Sequence, residues 1–310
     1  MNKWVRWPDG KDFAFTVFDD TDFATLKNVK EVYSLLSDLG FKTTKSVWPI
    51  RGNRKPLIGG STCEDPEYLK WILELKDNGF EIALHNVTFH SSIRENTIKG
   101  LDRFYEMFGY YPKSMANHAD CEESIYWGNY RLTGFNEILY NIFLRNKHKG
   151  IFRGHIKGDK YFWGDICKKR IKYVRNFIFS NINTLKSCPF MPYHDLQKPY
   201  VNYWFASSEG PDVNSFKHCI SEKNQDQLEY EGGACIMYTH FASGFYNGSS
   251  INPQFKSLMV RLGKKNGWFV PVSTLLDYLL EKNGGHIITK SDRKRIERKW
   301  LLHKLNVGTS

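Results

Sequence analysis

The chain has 310 residues, 41% hydrophobic, 25% charged and 15% aromatic, with a formal net charge of +11. That apolar content is enough to bury a full core, but no run reaches the ~18 residues of a membrane span. The N-terminal stretch Met1-Asn-Lys-Trp-Val-Arg-Trp-Pro8 lacks the apolar segment of a signal peptide. Six scattered cysteines, none paired at two-residue spacing, exclude a disulfide framework and a zinc knuckle, so the expected compartment is the reducing cytoplasm.

The first strand-like run, residues 13–18, is apolar except at Thr16 and ends in the doublet Asp19-Asp20. Such a run suits a strand buried on both faces, and α/β sheets place their chemistry at C-terminal strand ends. Two adjacent carboxylates repel each other at a buried edge unless a cation or a shared proton relieves them. The competing reading is a helix N-cap, because Asp20-Thr21-Asp22 precedes a helical pattern at 24–39. A strand at 43–48, a loop at Pro56-Leu-Ile-Gly-Gly60 and a helix at 65–78 follow. The strand at 80–84 runs into His85-Asn-Val-Thr-Phe-His90. Carboxylate and imidazole are ligands for a divalent ion such as Zn²⁺, and three of them with an open fourth position make a hydrolytic site.

Beyond it, Ser92-Ile-Arg-Glu95 reads as a capping box for a helix at 92–108, which gives His90 a second reading as a helix-start residue. A strand at 114–118 ends in Asn117-His118, and a helix is expected at 122–128. Strands at 173–179, 234–239 and 268–272 alternate with helices at 214–229 and 254–265. Alternating strands and helices predict a parallel sheet, here a distorted (β/α) barrel over residues 1–285. Residues 286–310 form a basic helical tail that either closes the barrel or lies at an anionic membrane surface.

Three segments resemble the polysaccharide deacetylases of the NodB-like group, carbohydrate esterase family 4. The family's Thr-Phe-Asp-Asp-Gly motif is matched by Thr16-Val-Phe18-Asp19-Asp20-Thr21, with one inserted Val and Thr in place of Gly. Its His-containing second motif is matched by Gly79-Phe-Glu-Ile82 followed by His85 and His90, and its late strand-end histidine by Ile236-Met-Tyr-Thr-His240-Phe. The matches keep the family's order and span residues 13–245. The resemblance implies a metal-dependent hydrolase that removes an acetyl group from a sugar. Asp19 would be its general base, Asp20, His85 and His90 its metal ligands, and His240 the acid that protonates the leaving group.

The departures are specific. His85 and His90 stand five apart where the family spaces them by four, so His90 ligates only through an irregular turn, and His118 is the alternative third ligand. The family's Arg-Pro-Pro motif is replaced by Tyr111-Pro-Lys-Ser-Met-Ala-Asn-His118, so the arginine that orients the base is missing there. Asn117 or a more distant arginine is expected in its stead. Trp163 and Asp165 match the fourth motif in reversed order and, with Asn117 and His118, are the expected substrate contacts.

Lysine and arginine concentrate at 145–175 and 282–304, zones that suit anionic head groups or a sugar diphosphate but read more simply as solvated faces. No recognisable nucleic-acid module accompanies them. The expected partner is therefore a carbohydrate or an activated, lipid-linked sugar, met in the cytoplasm or at the inner face of the membrane. Two other classes fit the same pattern: an amide or ureide hydrolase on the same barrel, and a sugar-binding protein without activity.

Overall fold

The computed structural model describes residues 5–56 and 58–307. Residue 57 of the expected 56–60 loop, the first four residues and the last three of the basic tail lie outside the described residues. Seven parallel strands close into a barrel: β1 (Phe13–Asp19), β2 (Thr44–Val47), β3 (Glu81–Leu84), β4 (Ser114–Met115), β5 (Tyr173–Phe179), β7 (Tyr203–Glu209) and β8 (Ala234–Thr239). Their order is β1-β2-β3-β4-β5-β7-β8, and β8 returns to β1. Short β6 (Tyr193–His194) and β10 (His286–Ile287) extend the sheet outward from β7, and β9 (Gly267–Trp268) pairs with β1.

Helices coat the barrel because each crossover between parallel strands needs one. They are α1 (Leu26–Asp38), α2 (Pro66–Asp77), α3 (Arg94–Phe108), α4 (Phe135–Phe143), α5 (Gly164–Arg170), α6 (Thr184–Ser187), α7 (Val213–Cys219), α8 (Glu222–Glu231), α9 (Pro253–Gly263), α10 (Val272–Asn283) and α11 (Lys290–Val307). In α1 a Thr25/Asn28 capping box starts the helix and Val29, Val32, Tyr33, Leu35 and Leu36 face inward. The basic tail is α11, which lies on α4 and β5 and buries Ile296, Trp300 and Leu301. No described helix is long and apolar enough to cross a membrane. All six cysteines are buried and unpaired.

Four expectations need correction. Residues 122–128 form turns, not a helix, because Asn117 clamps the chain with paired hydrogen bonds to Ile125, 3.1 and 2.9 Å. The helix expected at 214–229 is broken at Ile220-Ser221, where the buried amide of Gln225 donates to Ile220 O at 2.9 Å. The last strand stops at Trp268, since Pro271 caps α10 directly after it. A barrel strand, β7, stands where only an aromatic cluster is evident in the sequence.

Candidate metal centre

Pleating decides which carboxylate faces the barrel mouth. Successive strand residues point to opposite faces. Phe18 meets Phe205 of β7 across the barrel, ring centroids 6.0 Å apart, while Phe15 packs outward on Phe41. Asp19 shares the outward parity of Phe15, and Asp20, directly after the strand, shares the inward parity of Phe18.

Asp19 is fully buried and fully partnered outside the barrel. Its Oδ2 accepts from Lys45 Nζ at 2.8 Å and from Tyr33 Oη at 2.9 Å, and its Oδ1 accepts from Phe241 N at 2.8 Å. Burial works against the Lys45 ammonium, but the Asp19 carboxylate outweighs it and raises that pKa. Asp19 thus ties β1 to β2 and anchors the residue that follows His240. It has no oxygen directed at the mouth, which is a different place from the one its expected role requires.

Asp20 is forked by Arg175 of β5: Nη1 donates to Oδ1 at 2.9 Å and Nη2 donates to Oδ2. The guanidinium is stacked 4.4 Å from the Tyr238 ring. Arg175 is carried by a strand whose seven residues are all buried. Asp20 Oδ1 stands 3.9 Å from His85 Nδ1, beside the cluster but outside it.

The cluster itself is Asp22, His85 and His118. A tight turn after β1, with Phe23 at a φ of 58° and its N–H on Gly59 O, swings Asp22 under the mouth. His85 ends β3, and His118 follows β4. Asp22 Oδ1 lies 3.1 Å from His85 Nε2 and 3.1 Å from His118 Nδ1, and those two nitrogens are 3.1 Å apart. His85 Nδ1 faces Ala116 O at 3.2 Å and so leaves Nε2 as the lone-pair donor. Asp22 Oδ1 is buried with no hydrogen-bond donor among the described residues. Three electron-rich atoms in a triangle of this size fit a tetrahedral ion, whose ligands at ~2.0 Å stand ~3.3 Å apart. Asp22, His85 and His118 can therefore hold a divalent metal.

His240 completes the rim. Its Nδ1 donates to Pro211 O at 2.8 Å, which leaves Nε2 3.3 Å from Asp22 Oδ2. Burial alone would lower the His240 pKa, but the hydrogen bond and charge of Asp22 outweigh it and hold the pKa above the usual imidazole value. The same contacts act in reverse on Asp22: burial favours its neutral form, yet His85, His118 and His240 hold its carboxyl well below the usual range.

The remaining expected residues lie elsewhere. His90 spends both ring nitrogens on the backbone, Nε2 accepting from Asn53 N at 2.9 Å and Nδ1 donating to Ser91 O at 3.0 Å. It lines a cavity of about 190 Å³ that opens beside His118, together with Arg54, Ile58 and Phe89. Asn117 is the clamp on Ile125. Trp163 is buried, its indole N–H donating to Glu123 O at 2.7 Å, and Asp165 pairs with Arg94 at the surface, 2.6 and 2.7 Å. Asp22 and Arg175 are the site residues missed by sequence reasoning. The signals were present: a carboxylate two residues beyond Asp20, and a charge inside an apolar run.

Glu123 braces the two histidine-bearing segments. Its Oε1 accepts from Asn86 Nδ2 and its Oε2 from Ser92 N, each at 3.0 Å, while Asn86 Oδ1 accepts from His118 N at 3.4 Å. Burial drives the Glu123 carboxyl up to about 8, against those hydrogen bonds. A raised carboxyl pKa means that its stabilising contribution is complete below the unfolded pKa of ~4.5 and is lost as pH rises through about 8. Glu123→Gln should therefore flatten the fall in melting temperature between pH 5 and pH 8. Parallel pH profiles of mutant and wild type would refute this brace.

No protein-family model matches the sequence, and no curated protein does. Among solved structures, the chain is similar to a putative polysaccharide deacetylase from Mycobacterium smegmatis, with a TM-score of 0.50 at 13% identity, covering 92% of this chain and 96% of that one. It is also similar to Puue allantoinase, TM-score 0.48 at 11% identity over 89% and 93% of the two chains. A third is the peptidoglycan deacetylase PdaC from Bacillus subtilis, TM-score 0.40 at 10% identity over 95% and 99%. The first likeness shows the fold: this chain shares the barrel of the polysaccharide deacetylases, as its motifs implied.

Proposed function

We propose that the protein is a metal-dependent hydrolase that removes an acyl group, acetyl in the simplest case, from an amino sugar or a sugar precursor. The observation that carries this reading is the equal-sided triangle of Asp22 Oδ1, His85 Nε2 and His118 Nδ1, flanked by Asp20 and His240. A divalent ion such as Zn²⁺ supplies Lewis acidity there, polarising an acyl oxygen and acidifying water.

The chain's own residues do the rest. Asp20 takes the proton from the attacking water, and the Arg175 fork orients its carboxylate. His240, with Nδ1 fixed on Pro211 O, presents Nε2 to give a proton to the departing nitrogen or oxygen. Relative to the roles implied by the motif resemblance, the base and the ligand each shift along the chain, from Asp19 to Asp20 and from Asp20 to Asp22. His118 takes the place of His90.

A sugar substrate is favoured by Phe23, an aromatic residue 53% exposed and next to Asp22 in the chain. Apolar sugar faces pack on such rings, and a ring contact contributes ~0.5–1.5 kcal/mol. Phe23→Ala should raise KM up to ~10-fold with kcat nearly intact. A fall in kcat at unchanged KM would remove Phe23 from substrate binding.

The reading is tested by acetate release from a panel of N- and O-acetylated amino sugars, with cyclic amides and ureides as the contrast. Activity on an acetylated sugar, abolished by chelator and restored by a divalent ion, is expected. Full activity in chelator, or ring opening without acetate release, overturns it. Carbohydrate affinity with no bound metal would instead indicate a sugar-binding protein.

A further inference from the structure

Two helices at the barrel rim expose an apolar face to solvent. On α4, Phe135, Ile138 and Ile142 recur at helical spacing and are 69%, 56% and 65% exposed, with Phe143 beside them at 52%. The helix turns only Asn136 and Tyr140 fully inward. On the neighbouring α11, Lys294, Arg298, Leu302 and Leu305 share one outward stripe, with Leu302 65% exposed. Contiguous exposed apolar surface of this kind marks an interaction site.

The charge around it is mostly positive, with Glu137 of α4 the carboxylate set among it. A cavity of about 380 Å³ lies between the start of α4 and α11, lined by Phe135, Asn136, Lys290, Arg293, Lys294 and Arg298. Arg293 is held by Asp195, but Lys290, Lys294 and Arg298 make no ion pair among the described residues. Arg145, Lys147 and Lys149 are exposed just beyond the other end of α4. The nearby carboxylates have partners of their own: Glu297 is buried on Thr133 and Asn136, Asp292 is bound by Arg295, and Glu137 accepts from Asn129 Nδ2 at 3.0 Å.

We propose that this face docks on an anionic phospholipid surface, with head-group phosphates against the cationic cavity and Phe135, Ile138 and Ile142 entering the head-group boundary. An apolar helical stripe ringed by lysine and arginine is what binds at such an interface. A protein partner would leave the unpaired cations needing matching carboxylates at one fixed geometry, whereas an anionic leaflet meets them wherever they lie. The two helices pack on each other. α4 lies in the excursion that leaves β4 through His118, and Lys304 and His303 of α11 hold Glu209 at the end of β7. This inference does not rest on the deacetylase reading, and its test involves no hydrolysis.

The test is flotation of the full chain with phosphatidylcholine vesicles made with and without phosphatidylglycerol. Binding is expected to the anionic vesicles alone and to weaken as salt is raised. Both the Ile138→Asp/Ile142→Asp pair and the Lys294→Glu/Arg298→Glu pair alter exposed side chains, and each should weaken binding by ~10-fold or more. Absence of binding to anionic vesicles at low salt overturns the proposal, as does unchanged binding by either pair. So does a dimer in sedimentation velocity that dissociates with the isoleucine substitutions, because a second copy would then own the face.

Discussion

Asp20→Asn is expected to slow hydrolysis by ~10²–10⁴-fold, the range of a lost general base, while leaving the bound ion in place. Asp20 sits next to the Asp22-His85-His118 cluster but spends both oxygens on Arg175. Its substitution should leave the three ligand atoms untouched. Arg175→Lys preserves the charge but not the two-pronged geometry, so it should give a smaller loss in kcat with the ion retained. Acetate release together with elemental analysis separates the cases. Wild-type turnover in Asp20→Asn would exclude it as the base, and loss of the ion would make it a ligand.

The second large effect falls on stability. Lys45→Met or Asp19→Asn should each destabilise the fold by ~3–5 kcal/mol, the cost of leaving one charge of a buried pair uncompensated. Both side chains are completely buried and 2.8 Å apart. The combined Asp19→Asn/Lys45→Met variant should recover much of that loss, since a buried pair replaced as a unit is often close to neutral. Denaturant midpoints measure all three. Single variants within about 1 kcal/mol of wild type would show that the pair is not the anchor of β1 on β2. Because Asp19 also holds Phe241 N, activity lost in Asp19→Asn should follow lost stability rather than lost base chemistry.

Much of this was legible in the sequence for a simple reason. Strands buried on both faces are largely apolar runs, and the runs at 13–18, 80–84, 173–179 and 234–239 mark four barrel strands almost to the residue. β7 escaped because only its first half is apolar; Ser207, Ser208 and Glu209 make the second half resemble a loop. α4 escaped because its apolar side faces solvent and Gly134, at a φ of 55°, starts it without a side-chain cap.

At the site, the resemblance supplied the chemistry, and strand parity supplies the register. Adjacent residues at a strand end cannot both face the mouth, so Asp20 is the inward carboxylate and Asp19 the outward one. That argument needed only the alternation of side chains. Arg175 was visible as a charge inside an apolar run and Lys45 as a charge inside an expected strand, each implying a buried carboxylate partner. Which carboxylate each one met depended on the barrel closing, and local sequence does not encode that.

The central claim is the identity of the three ligands, and metal content per chain tests it most directly. After incubation with Zn²⁺ and removal of free ion, wild type and Asp20→Asn should each retain about one ion per chain, as one tetrahedral site requires, while Asp22→Ala and His118→Ala retain none. A wild-type protein that holds no ion, or an Asp22→Ala protein that keeps it, would contradict the account.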